Sequence, residues 1–429
     1  MSSRTWSNWS GLAQCTPAHF EMPADLSALA AIVRKTAESG GHLRVVGSGH
    51  SFTDLVKTSD TIVSLDNLSG VVEADAATAT VWAGTKLKRL NELLDERGLA
   101  MENLGDINVQ SIAGAIGTGT HGTGRDFGCI PTQATGFSLV TASGDVVECS
   151  ETENTDIFKA AQVSMGTLGV MARIRLRLMP SYRLKYVRQR ATFAEFAENA
   201  MRWRDENRQF EAYFFPYTET VQLKFLNITE EPPTGRKAAK WFNDVIMENV
   251  SFELLSRLCR SKPSRCAGVS KFAAGFVGDS TEIDAGHKVL STVRFVRFNE
   301  MEYEIPAAEG VECLRELKDW IEKDRPEVHF PIEFRYVKGD DIPISPFHGR
   351  DSAAISVHMY KGMPHRPYFD GCERIFRAHD GRPHWGKLHS LVRADFEKIY
   401  PEWEAFQSIR KRLDPNSVFL NPYLERIFS

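Results

Sequence analysis

Over the first 180 positions the apolar residues follow two different periods. Leu26, Leu29 and Val33 recur at helical spacing after Pro23-Ala24-Asp25, which predicts a helix beginning near Asp25. KLKRLNELLDERG (86–98) repeats that amphipathic period and stops at Gly98. LRVV (43–46), TIVSL (61–65) and ATVWA (79–83) are apolar runs of strand length. FSLVTASGDVVEC (137–149) reads as two strands around a Ser143-Gly144 turn. LGVMARIRLRLMP (168–180) alternates apolar residues with arginines and stops at Pro180, the pattern of a half-buried strand on an antiparallel sheet.

Beyond Pro180 the pattern is mixed. FAEFAENAMRWRDEN (193–207) and VECLRELKDWIEKD (311–324) are predicted helices. YFFPY (213–217), RFNEMEYEIP (297–306), HFPIEFRYV (329–337) and AAISVHMY (353–360) are predicted strands, and EEPPTGRKAAK (230–240) a loop. After about residue 381 come a loop motif, two helices (390–400 and 402–414) and a turn-rich end, DPNSVFLNPY (414–423). Nineteen of the 31 glycines lie in 1–180, against six in 181–330 and six in 331–429. The first block is therefore the one built from tight turns and close backbone approaches, and a boundary is expected near Pro180.

Composition narrows the class. A chain of 429 residues suggests two to three domains. With 42% hydrophobic and 25% charged residues it is neither disordered nor fibrous. Lys+Arg 52 against Asp+Glu 56 leaves a net charge of −4, which argues against a nucleic-acid partner. Seven cysteines without a CxxC pair suggest neither a zinc ribbon nor a thioredoxin-like centre, and no metal site is expected. The polar N-terminus lacks the apolar core of a signal peptide, and no run reaches 18 apolar residues. A cytoplasmic protein without a membrane span is the expectation.

Four segments carry candidate chemistry. In VVGSGHSF (45–52) a strand runs into Gly47-Ser48-Gly49, followed by His50 and Ser51. Such a turn can aim backbone N–H groups at a pyrophosphate; a bare strand-to-loop turn is an equal reading. In GAIGTGTHGTG (114–124), Gly117, Gly119 and Gly122 satisfy GxGxxG, but without the strand-then-helix context that a nicotinamide-binding Rossmann unit needs. It is either a loop laid against a flat cofactor or a plain turn with His121 as a buried core histidine. In PIEFRY (331–336), period 2 puts Glu333 and Arg335 on one face, about 7 Å apart. That pair can hold a polyhydroxyl substrate; the commoner reading is a solvent-facing charge ladder. In RPHWGKLH (382–389), His384, Trp385 and Lys387 occupy a turn where Trp385 can pack on a ring and Lys387 can reach an anion. His358 lies on a predicted strand, as a ligand contact or a core residue.

In this order, the four segments resemble the aldonolactone oxidoreductases, the sugar-lactone oxidases and dehydrogenases of the vanillyl-alcohol-oxidase-like flavoproteins. The resemblance runs from WSNWSG (6–11) to VFLNPY (418–423). It implies an α+β fold of two domains: an FAD-binding domain (1–180), a cap domain with a large antiparallel sheet (181–380), and a C-terminal segment (381–429) returning to the FAD domain. It implies FAD attached covalently through His50. Gly47, Ser48, Gly49 and Ser51 would cradle the pyrophosphate. Ser111, Gly114, Gly117, Thr118, Gly119, His121 and Gly122 would line the flavin, with Ser111 near its reactive edge. Gly166 and Val170 would pack near the adenosine part. Glu333, Arg335 and Lys387 would be the catalytic trio, with Ser111, His358 and His384 as substrate contacts.

The implied reaction is oxidation of an aldono-1,4-lactone at its C2 hydroxyl, as in conversion of L-gulono-1,4-lactone toward ascorbate. O2 or another acceptor, such as a cytochrome, would take the electrons, so oxidase and dehydrogenase both stay open. An alditol oxidase acting on xylitol or sorbitol is the near alternative. A non-catalytic flavin- or carbohydrate-binding protein is the distant one.

Overall fold

The computed structural model describes residues 5–235, 248–291 and 296–429. Its strands fall into two groups that change over at Pro180. Before it, a parallel three-stranded sheet is ordered His19–Glu21, Thr61–Ser64, Leu43–Val46. Beside it an antiparallel sheet is ordered Val146–Ser150, Ala134–Val140, Val170–Arg177, Thr78–Trp82, Val71–Ala74. From Arg183 on, the strands form one eight-stranded antiparallel sheet: Ser280–Ala285, Arg183–Thr192, Thr220–Ile228, Gln209–Phe214, Ile332–Val337, Ser352–Tyr360, Phe298–Pro306, Arg382–Pro383. The fold is thus α+β, a glycine-rich region of smaller sheets followed by a large antiparallel cap sheet.

The local signals act as expected where a cap or turn is encoded nearby. Asp25 accepts from Ala28 N at 2.8 Å and starts the helix Leu26–Glu38. The helix Phe193–Glu206 opens on a capping box between Thr192 and Glu195. Gly144, at φ +80°, makes the hairpin turn between Ala134–Val140 and Val146–Ser150. Central Val170–Arg177 buries its apolar residues and turns Arg175 and Arg177 to solvent.

Other elements differ from the pattern. The strand expected over 213–217 runs Gln209–Phe214 and ends in a turn with Tyr217 at φ +63°. Arg183–Thr192, Thr220–Ile228 and Ser280–Ala285 were not anticipated as strands; two are rich in charge and are held by neighbours on the sheet. The C-terminus is more than a turn-rich tail. Asn421 accepts from Leu424 N at 2.9 Å, with Pro422 in the first turn, and starts a helix Pro422–Phe428. Of the loop expected over 230–240, residues 230–235 have no regular structure and 236–240 lie outside the described residues.

The C-terminal segment is stitched into the first block. Leu43 N donates to Val418 O at 2.8 Å, and Asn421 Nδ2 donates to the carbonyls of Asp54 and Lys57, both at 2.8 Å. Buried Arg44 spends its guanidinium on backbone carbonyls: Leu55 at 2.7 Å, Met165 at 2.6 Å, and Phe419. One side chain thus holds the strand Leu43–Val46, the Met165-Gly166 turn and the C-terminal loop together.

Trp385 corrects an expectation. It packs on no cofactor surface but is fully buried, stacked on Phe396 at 4.6 Å with Tyr400 and Phe428 behind, and it donates to Ile344 O at 2.7 Å. Its place is the core under the loop that carries His384 and Lys387. Trp385→Ala should therefore cost about 3–5 kcal/mol of stability, read as a lowered midpoint in urea.

Candidate active site

Two cavities meet at the junction of the sheets. The first is a long channel of about 1030 Å³ counted out to open solvent. Gly47, Ser48, Gly49, His50 and Ser51 line one stretch of its wall, Ser111, Gly114, Gly117 and Thr118 another, and Gly166 and Val170 a third. Ser111 caps the short helix Ile112–Gly117 by accepting from Gly114 N at 3.3 Å. A Cβ on Gly47 would lie 2.3 Å from that hydroxyl, so close approach of the two walls requires glycine there. At Gly117 and Gly166 a Cβ would meet nothing nearer than 4.0 and 3.9 Å, which leaves that space to a ligand.

The second cavity, about 630 Å³ on the same measure, lies against the cap sheet. His50, Ser51, Gln110 and Thr118 line both cavities. Glu333, Arg335, Lys387, His384 and His121 line the second, so the structure brings the expected trio to one pocket. Gly119, Gly122 and His358 line neither. Gly122 is a packing glycine, its Cβ position 2.3 Å from Leu104 O. His358 stands behind the wall, with Nε2 3.6 Å from Glu300.

Sheet register explains the pocket. Across one face, Glu302 pairs with Ser356, Ser356 with Glu333, and Glu333 with Tyr213. At two strand spacings, Glu302 and Glu333 stand roughly 9.5 Å apart along that row. The next row runs Glu304, Ala354, Arg335, Glu211, Lys224. The charge-ladder reading of Glu333 and Arg335 is therefore wrong about solvent: they are only 3% and 8% exposed.

The cations that line this pocket, Arg335 and Lys387, each meet a carboxylate. Arg335 contacts Glu333, reaches Glu211 at 3.0 Å and Asp106 at 3.1 Å, and these carboxylates outweigh the burial that disfavours its charge. Tyr213 donates to Glu333 at 2.6 Å, and Lys224 reaches Glu211 at 2.5 Å. Lys387 sits 2.6 Å from Glu300.

Glu300, Glu302 and Glu304, spaced by two on the strand Phe298–Pro306, show what neighbours decide. Burial pushes Glu300 up, but Lys387 and His358 prevail and leave it at about 2. Burial also raises Glu302, yet His121, 3.0 Å away, and Lys387 hold it well below the usual range. Glu304 is buried with no hydrogen-bond partner on either oxygen, and burial beside Glu302 pushes it well up. It is therefore held neutral.

Burial lowers two of the lining histidines, His384 and His50. His384 accepts from Gly386 N at its Nδ1, 2.9 Å away, which leaves Nε2 carrying the proton. Burial brings its pKa down to about 3. His50 stacks on Trp9 at 5.3 Å, and burial, then Lys387, lowers it to about 4. Asp106, Glu211, Tyr213, Glu300 and Glu302 were not anticipated. The glutamates of NEMEYE, spaced by two in an apolar strand, were the available signal.

Comparison with known proteins adds a family to this geometry. A model described as "FAD binding domain" matches residues 17–150, and one described as "D-arabinono-1,4-lactone oxidase" matches 174–427. L-gulono-1,4-lactone dehydrogenase of Mycobacterium tuberculosis is 37% identical over 99% of both chains. L-gulonolactone oxidase of Bos taurus is 32% identical over 98% of this chain and 97% of its own. Cholesterol oxidase from Brevibacterium sterolicum, 16% identical, shares the fold with a TM-score of 0.82 over 100% of this chain and 97% of its own. The fold and site define an FAD-dependent oxidoreductase. The chain belongs to the D-arabinono-1,4-lactone oxidase family. Among the described residues, no helix is long and apolar enough to cross a membrane.

The lowered histidines set an acid limit. Burial brings His389 down to about 4, as it brings His384 to about 3. Below pH 6.5 the unfolded chain takes up protons that the folded chain refuses, so stability falls with pH down to about 4. The loss approaches about 1.4 kcal/mol per pH unit per imidazole. The lowered glutamates contribute only below about pH 4.5. Thermal melts between pH 7 and 4.5 should show the decline, and His389→Phe should flatten it.

Proposed function

We propose that this chain oxidises the C2 hydroxyl of a neutral aldono-1,4-lactone, of the L-gulono or D-arabinono kind. The observation that carries the reading is the meeting of a glycine-lined cavity and a carboxylate-lined pocket at His50, Ser51, Gln110 and Thr118. FAD bound in the channel supplies a hydride acceptor.

The pocket lining carries Asp106, Glu300, Glu302 and Glu333 against Arg335 and Lys387. Four carboxylates against two cations leave that lining negative. It repels sugar acids and sugar phosphates and suits neutral hydroxyl groups, which donate to carboxylates. Glu333 and Glu300 orient those hydroxyls. A carboxyl at about 2 is an acceptor of hydrogen bonds and a poor base near neutral pH, so Glu300 does not take the hydroxyl proton. His384, its Nδ1 already occupied by Gly386, offers Nε2–H to an oxygen. Arg335 and Lys387, beside their carboxylate partners, would favour loss of the hydroxyl proton to solvent water in the pocket and stabilise the alkoxide left behind.

His50 attaches FAD covalently in this reading. It is neutral at physiological pH, stacked in place by Trp9 and set on the channel wall, the state in which an imidazole nitrogen is a nucleophile. Seven free thiols suit a reducing, cytoplasmic setting.

Anaerobic L-gulono-1,4-lactone should bleach the flavin band of the purified protein. The speed of recovery in air then separates oxidase from dehydrogenase. Bleaching by xylitol but not by the lactone would instead make this an alditol oxidase. Arg335→Ala and Lys387→Ala should slow bleaching by about 100-fold or more. A yellow protein whose bleaching is unaffected by both changes would sink the assignment of these residues. After acid precipitation the wild-type pellet should stay yellow, and His50→Ala should release its flavin.

A further inference from the structure

A second cluster of reactive side chains lies outside the pocket. Cys259 is near the end of the helix Glu248–Ser261, Cys266 opens the helix Cys266–Ala274, and His329 precedes the strand Ile332–Val337. All three are buried, at 1% exposure or less. Their ligand atoms lie within 4.8 Å of one another, and Cys266 Sγ is 3.8 Å from His329 Nδ1. Sulfur and nitrogen bound to one tetrahedral ion stand about 3.6 Å apart, given bond lengths of about 2.3 and 2.0 Å. The set therefore needs to contract by only about an ångström.

The surroundings favour a ligand set over a chance meeting. Ser256 Oγ lies 2.9 Å from His329 Nε2, which orients the ring and leaves Nδ1 facing the thiols. A partner on the far nitrogen is the usual support of a metal-bound imidazole. Phe252 and Phe330 pack on the imidazole at 5.7 and 4.9 Å and keep the cluster dry.

We propose that Cys259, Cys266 and His329 bind one thiophilic d¹⁰ cation, Zn²⁺ or Cu⁺. Two thiolates and one imidazole are soft donors that select these ions over Mg²⁺ or Ca²⁺. The ion ties the two helices to the segment leading into Glu333 and Arg335. Its role is structural: His329 is two residues from Pro331, whose carbonyl lies 3.4 Å from His358 Nδ1 behind the pocket wall.

Flavin-loaded protein, reduced and stripped with a chelator, is dialysed against Zn²⁺ or, anaerobically, Cu⁺, and bound metal is counted by elemental analysis. One equivalent of either ion per chain is expected, with a rise of several degrees in Tm on loading. Cys266→Ser and His329→Gln should weaken binding by about 100-fold or more while the flavin spectrum is unchanged. X-ray absorption of the loaded wild type, which needs no variant, should show sulfur at about 2.3 Å. Reduced wild type that takes up neither ion, a shell of oxygen and nitrogen only, or a folded variant that binds like wild type would each overturn the site.

Discussion

The burial of Arg335 is the constraint around which the site is arranged. An unpaired guanidinium at this depth would cost several kcal/mol. Three carboxylates from three parts of the chain offset that cost: Glu333 from its own strand, Glu211 from the neighbouring strand, and Asp106 from the glycine-rich first block. The charge is stable only when the cap sheet and the first block are docked in one geometry. The same contact that solves a solvation problem thus brings the glycine-lined cavity against the carboxylate-lined pocket.

The glycine-rich loop makes the second crossing. Its His121 bonds Glu302 at 3.0 Å, Thr123 bonds Phe210 O, and Gly124 N donates to Tyr336 O at 2.7 Å. A loop that leaves the channel wall at Thr118 therefore ends pinned to the middle of the cap sheet. Relative movement of the two regions would strip several buried polar groups of partners at once, each costing about 1–3 kcal/mol. A rigid junction is what positions a substrate carbon against a flavin.

The strand Phe298–Pro306 shows how little residue type alone decides. Three glutamates share one face, yet one is paired with Lys387, one with His121, and one is neutral and unpaired. Two supply charge to the pocket, and the third is kept from doing so by burial. Lys387, expected to reach an anion, and Arg335 are likewise already matched by carboxylates. The pocket therefore reads as a hydroxyl-binding surface more than an anion-binding one.

The elements set by local signals were legible in the sequence. The caps at Asp25 and Thr192, the Gly144 turn, the Pro180 changeover and the period-2 runs each act within a few residues. The motif residues from His50 to Lys387 could be singled out there too, but each alone read equally well as a bare turn or a charge ladder, and only their order as a set suggested roles. Strands such as Arg183–Thr192, which form because neighbours pair with them, were not legible. Nor were the partners Asp106, Glu211, Tyr213 and Glu302, the retreat of Trp385 into the core, or the meeting of Cys259 and Cys266 with His329. Hydrophobic period and turn chemistry are properties of neighbours in sequence, and the chain carries them openly. Burial, protonation state and the pairing of charges depend on which distant strands share a row, and only the tertiary structure decides that.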